Sequence, residues 1–140
     1  MAAAPGATGT GQGMGVYALM AVGVGAMLGA WCRWGLGSWL NPLFPTLPLG
    51  TLAANLGGAF FIGLAVEFSA RHASVPPELR LLVITGFLGA LTTFSTFSAE
   101  VVTLLRRSEL VWAVASMGAH LMGSLLLTAA GMWVARMVVR

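Results

Sequence analysis

Charge is what this chain has least of. Only 8 % of its 140 residues are charged, against roughly 25 % in soluble domains. All seven cations are Arg and all four anions are Glu; there is no Lys and no Asp. So few charges cannot build a water-facing surface, so lipid is the expected solvent for most side chains. The seven Arg sit mostly near the ends of apolar runs rather than in one basic patch, which argues against a nucleic-acid reader. Cysteine is nearly absent. The single Cys32 excludes an intrachain disulfide and any cysteine metal cluster, and its place in an apolar run predicts a buried small residue. No nucleophile–base pair, phosphate loop or metalloprotease motif occurs, so no enzyme is expected. Residues 1–13 lack the basic start of a signal peptide, so attachment is expected to come from membrane spans.

Apolar residues are abundant, at 58 %. They fall into four runs separated by Pro-rich or charged breaks. The first 13 residues, rich in Gly, Ala and Thr, read as a disordered tail. One transmembrane domain then covers 14–140, with spans at about 14–40, 49–68, 78–105 and 110–138. About 20 helical residues cross the roughly 30 Å apolar core of a bilayer. The fold class is an all-α integral membrane protein of four transmembrane helices. Trp31, Trp34 and Trp39 crowd the end of the first span as an interfacial belt. Gly25 and Gly29, beside Ala26 and Ala30, form a small-xxx-small surface for close helix packing. With four spans, Arg71, Arg80, Arg136 and Arg140 share one side, and Arg33, Arg106 and Arg107 the other. This near-even split is a weak topological bias and suggests insertion in both orientations as an antiparallel dimer.

The third span is chemically odd. Thr92, Thr93, Ser95, Thr96 and Ser98 interleave with Phe94 and Phe97 at bilayer depth. Ser and Thr can bond back to carbonyls in a continuous helix. A broken helix instead frees backbone groups, which is tolerable only where they line a cavity or bind something. Thr92, Thr96 and Glu100 share one face, and the positive edges of Phe94 and Phe97 suit an anion. Asn55 in the second span either bonds a neighbouring helix or donates to a small anion. Ser116, His120, Ser124 and Thr128 form a polar stripe on the fourth span, where His120 either packs or relays protons. Arg33 either snorkels or serves the site, and Glu100 either is paired or lines a pore mouth. Glu67, Glu78, Glu109 and the other Arg residues read as solvated loop charges.

These residues resemble a known family. Gly25, Ala26, Gly29, Ala30 and Arg33, then Gly50, Thr51, Leu52, Asn55 and Gly58, then Gly86, Gly89 and the run from Thr92 to Ser98 with Glu100, are similar in order and spacing to the CrcB/Fluc fluoride channels. The resemblance spans 25–100; the fourth span, with Ser116 and His120, matches only loosely. It implies a passive, fluoride-selective channel that exports cytoplasmic fluoride, gives fluoride resistance and lies in the cell (inner) membrane. It implies an antiparallel dual-topology homodimer with two pores and a third helix broken near 92–95. It implies a central Na+ held by the backbone carbonyls of Gly89 and Thr92. It further implies that Asn55 donates to fluoride, that Phe94 and Phe97 present ring edges, and that Ser95, Thr96, Ser98 and Glu100 line or flank the path. Arg33, His120 and Ser124 are secondary candidates.

Neutral amide, hydroxyl and ring-edge donors suit an ion that must both bind and leave. Three rival readings remain at this point. A proton-coupled fluoride exchanger would use His120 or Glu100. A small multidrug-type exporter of organic cations would need a carboxylate in the middle of the first span, where there is none. A non-transporting membrane scaffold would use Asn55 and the hydroxyl stripe only for packing.

Overall fold

The computed structural model describes residues 10–138. Most of the expected tail, and Arg140, lie outside the described residues. Helix α1 spans Thr10–Leu40, starting ahead of the expected Met14, and α2 spans Leu49–Arg71. Helix α3 runs over 77–91, made of Pro77–Arg80, Leu81–Leu88 and Gly89–Leu91. Its middle is wound with π-type bonds, and the Gly89 N–H donates to the Ile84 carbonyl five residues back. Helix α4 spans Phe94–Arg106 and α5 spans Leu110–Val138. Taken with α3 and α4 as one span, four helical stretches are long and apolar enough to cross a membrane. The all-helical, four-span class read from the sequence holds.

Small residues set the packing. A Cβ on Gly25 would run into the Leu82 carbonyl oxygen, and one on Gly29 into that of Phe87. The α1 and α3 backbones therefore touch, as the small-xxx-small pattern predicted. On the other side, Gly63 of α2 lies against the Thr128 carbonyl of α5, and Gly131 of α5 against the Phe60 carbonyl of α2. Thr128 donates its hydroxyl proton to the Ala59 carbonyl at 3.1 Å. Helix α4 packs antiparallel to α5 through Phe97, Val101, Leu104 and Ala113. Large apolar side chains point outward all round: Leu125 is 60 % and Val111 80 % exposed. That inversion is stable only where the solvent is hydrocarbon.

Two expectations need correction. Cys32 is exposed rather than buried; in a membrane span an apolar run does not say which side chains face inward. Glu67 is not a loop charge. It lies in α2 and takes Arg71 Nε at 2.9 Å and Arg136 Nε at 3.0 Å, tying the ends of α2 and α5 together.

Candidate functional site

Between α3 and α4 the helical backbone stops for two residues. Thr92 has φ −80° and ψ 152°, and Thr93 has φ −149° and ψ 115°. Both ends of this extended dipeptide are closed by threonine hydroxyls. Thr92 Oγ1 donates to the Leu88 carbonyl at 3.0 Å and finishes α3. Thr93 Oγ1 accepts the Thr96 N–H at 3.1 Å and caps α4, the usual role of Thr at a helix start.

Asn55 supplies what the backbone loses there. Its Oδ1 accepts the Thr93 N–H at 2.7 Å, and its Nδ2 donates to the Thr93 carbonyl at 3.0 Å. The second Nδ2 proton points at His120 Nδ1, 3.0 Å away. Because Oδ1 already accepts from Thr93, the amide cannot be turned over. Nδ1 of His120 is therefore the acceptor, and the bonding network assigns the imidazole proton to Nε2. That Nε2 atom is buried with no partner, and so is Ser116 Oγ one helical turn away. The Phe97 ring lies over His120 with centroids 4.5 Å apart.

Around this clamp lies a cleft of about 360 Å³ lined by residues that include Asn55, Phe94, Phe97, His120, Ser124 and Thr128. Phe94 and Phe97 meet edge-on at 5.6 Å and 64°. Phe94 is 80 % exposed. A second cleft, on the far side of the Thr93 backbone, is lined by Arg33, Asn41, Thr51, Thr93 and Thr96 among others. A third, near the start of α2, reaches Thr96, Glu100, Thr103 and Arg107. Glu100 Oε1 accepts the Thr51 hydroxyl proton at 2.6 Å. Its Oε2, like Arg33 Nε, is buried without a partner.

Of the predicted residues, Asn55, Phe94, Phe97, His120 and Ser124 line the first cleft, Arg33 and Thr96 the second, and Thr96 and Glu100 the third, whereas Ser95, Ser98 and Gly89 line none of these three. Asn55 commits both amide protons to protein groups. Ser98 donates to the Phe94 carbonyl at 2.8 Å, the back-bonding open to any helical Ser. Ser95 lies 3.3 Å from Thr93 Oγ1. Two contributors were given no role from the sequence. Thr51 holds Glu100, and its position one turn before Asn55 on α2 was the signal. Asn41 accepts the Gly50 N–H at 2.8 Å and the Thr51 N–H at 3.3 Å. It caps α2, whose own first residues follow Pro48 with no side-chain cap.

Gly89 and Thr92 were expected to offer carbonyls to a sodium ion. In a continuous helix Gly89 O would receive the Thr93 N–H, and Thr92 O the Thr96 N–H. Those donors go instead to Asn55 Oδ1 and Thr93 Oγ1. Two carbonyls at the C-terminal end of α3 thereby lose their helical partners. Such groups suit a hard cation, so the residues present fit the ion.

These groups lie in one span of a multi-pass membrane protein, where freed backbone groups are tolerated only beside a cavity or a bound solute. The match to known proteins is narrower. Residues 20–132 match the family model described as CrcB-like protein, Camphor Resistance (CrcB), and the chain belongs to the CrcB family. A Nitrosospira multiformis protein named fluoride-specific ion channel FluC is 61 % identical over 118 residues, covering 84 % of this chain and 92 % of that protein. A protein of the same name from Pseudomonas putida (strain W619) is 60 % identical over 114 residues, covering 81 % and 90 %. One from Cupriavidus taiwanensis is 58 % identical over 125 residues, covering 89 % and 99 %.

Proposed function

We propose that this chain is a fluoride-selective channel. Family membership supports it, and the observation that carries it is the Asn55–Thr93–His120 arrangement. Fluoride is small and holds water tightly, so it sheds that water only where close donors replace it. A bare Arg beside the path would hold it too firmly to let it leave, whereas conduction needs weak, repeated sites. Along the first cleft the groups are neutral: an amide, an imidazole in its Nε2–H form, the Ser124 hydroxyl and the edges of Phe94 and Phe97. An ion at Asn55 takes the Nδ2 proton now given to His120, while the Thr93 bonds keep the amide in place. Thr96 and Glu100 then continue the path toward the third cleft. The flux runs down the fluoride gradient and relieves a cell of fluoride that entered as neutral HF, a role that calls for a location in the cell (inner) membrane.

The break between α3 and α4 is, in this reading, the feature that makes the third span a broken helix in the working channel. The freed carbonyls of Gly89 and Thr92 support a central Na+, structural or regulatory, whose charge would offset the negative end of the α3 dipole. Two antiparallel copies account for the near-even Arg split and for the outward Phe94 ring, which a second copy would cover. Fluoride efflux from liposomes, read with a fluoride electrode beside a chloride-loaded control and without a pH gradient, tests the channel. Rapid fluoride release without chloride release is the expected result. Release only under a proton gradient would mean an exchanger. Accessibility of terminal tags from both faces of the membrane tests the dual topology.

A further inference from the structure

The third cleft, about 280 Å³, opens where the loop before α2 meets the far end of α4. One wall is Pro45, Thr46 and Pro48; the other carries Thr96, Glu100, Thr103 and Arg107. Thr96, Glu100 and Thr103 of α4, with Arg107 just past its end, stand at i, i+4, i+7 and i+11, one side of the helix. The loop wall is fixed: Phe44 packs edge-on against Trp112 of α5, with centroids 5.3 Å apart.

This mouth is poor in attraction for an anion. Two wall residues are prolines, without an N–H to offer. The Thr103 hydroxyl proton goes to the Ala99 carbonyl at 2.8 Å. Glu100 keeps one carboxylate oxygen without a partner. Arg107 is the one cation among the residues lining the cleft. The ion pairs found among the described residues both involve Glu67, at the opposite end of the bundle, so the Arg107 charge is not spent on a neighbour. Its neighbour Arg106 does not line the cleft.

We infer that Arg107 gathers anions at this mouth and offsets the Glu100 carboxylate, setting fluoride throughput without binding the ion inside the path. This rests on the channel reading above. Seven residues of helical rise set the two backbone positions roughly 10 Å apart along the axis, close to the screening length of about 8 Å at physiological salt. Arg107 lines this cleft and not the first one, where the neutral donors lie. A single charge at that range changes local anion concentration by about two- to fourfold in dilute salt. Such an effect fades as salt rises, which a packing role would not do.

The test is fluoride efflux from liposomes at fixed fluoride gradient, with potassium gluconate raising ionic strength from about 10 mM to about 1 M, which cuts the screening length from about 30 Å to about 3 Å. Wild-type protein is expected to slow as salt rises. Arg107→Gln is expected to run about two- to fourfold slower at low salt and to match wild type at high salt. Arg107→Glu should be slower still, Arg107→Lys should keep the wild-type salt response, and Arg106→Gln, whose side chain does not line the cleft, should lose less than Arg107→Gln. Equal rates for wild type and Arg107→Gln at low salt would overturn the inference. So would an equal loss in Arg106→Gln, or a deficit in Arg107→Gln that persists at high salt. No fluoride flux from folded wild-type protein would instead sink the channel reading itself, and this inference with it.

Discussion

The Asn55 amide and the Thr93 peptide are bonded edge to edge, Oδ1 to N at 2.7 Å and Nδ2 to O at 3.0 Å. An amide side chain on α2 thus satisfies both backbone groups of a residue outside helical geometry. At membrane depth each of those groups would otherwise stand unpaired, at a cost of about 1–3 kcal/mol. Asn55→Ala is therefore expected to destabilise the fold by about 2–4 kcal/mol and to cut fluoride efflux more than tenfold. Asn55→Asp keeps the acceptor for Thr93 N–H but loses both donated bonds, so it should abolish flux as well. Thermal melts in detergent together with liposome efflux check both. Wild-type flux from Asn55→Asp would show that the Nδ2 protons are idle.

The glycines predict a sharp contrast along α1. A side chain on Gly29 meets the Phe87 carbonyl, which is backbone and cannot step aside, whereas Gly23 has nothing within 4 Å of where its Cβ would be. Gly29→Ala should cost at least about 1–3 kcal/mol by overpacking and reduce the yield of monodisperse protein. Gly23→Ala should be neutral, or stabilising by up to about 1 kcal/mol through helix propensity. Size-exclusion profiles and melting temperatures separate the two outcomes.

Spans and close-packing faces were legible in the sequence because both depend on what is local: length, hydropathy and small residues four apart. The four stretches fall within a few residues of where the Pro and Arg breaks placed them. The chemistry of the site was legible as residue types but not as bonds. Asn55 and His120 each stood out as polar groups in apolar helices, yet nothing within one helix says that they face each other 65 positions apart. Glu67 was misplaced for the same reason. Its partner Arg136 belongs to another helix, and only packing brings the two ends together. Cys32 was misjudged because an apolar run means burial in water, while in lipid it says nothing about which face is inside.

Ser108 offers a test of backbone strain. It is the one non-glycine residue with a left-handed backbone among the described residues, at φ 59°, and it sits in the tight turn that ends α4. The Glu109 N–H reaches back to the Leu104 carbonyl at 3.0 Å, a closure that glycine makes most readily. Ser108→Gly should raise stability by up to about 1 kcal/mol, and Ser108→Val should lower it by more. Melting temperature decides, and fluoride flux should stay unchanged, since Ser108 does not line the third cleft.

The Thr51–Glu100 bond links the start of α2 to the middle of α4, at 2.6 Å, one turn along α2 from the Asn55 clamp. If the hydroxyl serves to hold the carboxylate at the edge of the path, the two side chains act as one unit. Thr51→Val leaves Glu100 without its donor, and Glu100→Ala leaves the Thr51 hydroxyl without its acceptor. Each change should slow fluoride efflux, and the double variant should be no slower than the worse single, a coupling of about 1–3 kcal/mol. Glu100→Gln keeps an oxygen for Thr51 to donate to, so it should recover part of the flux that Glu100→Ala loses. Additive losses in the double variant would mean that Thr51 and Glu100 act separately. Then Glu100 would meet the ion without help from α2, and the hydrogen bond between them would be packing alone.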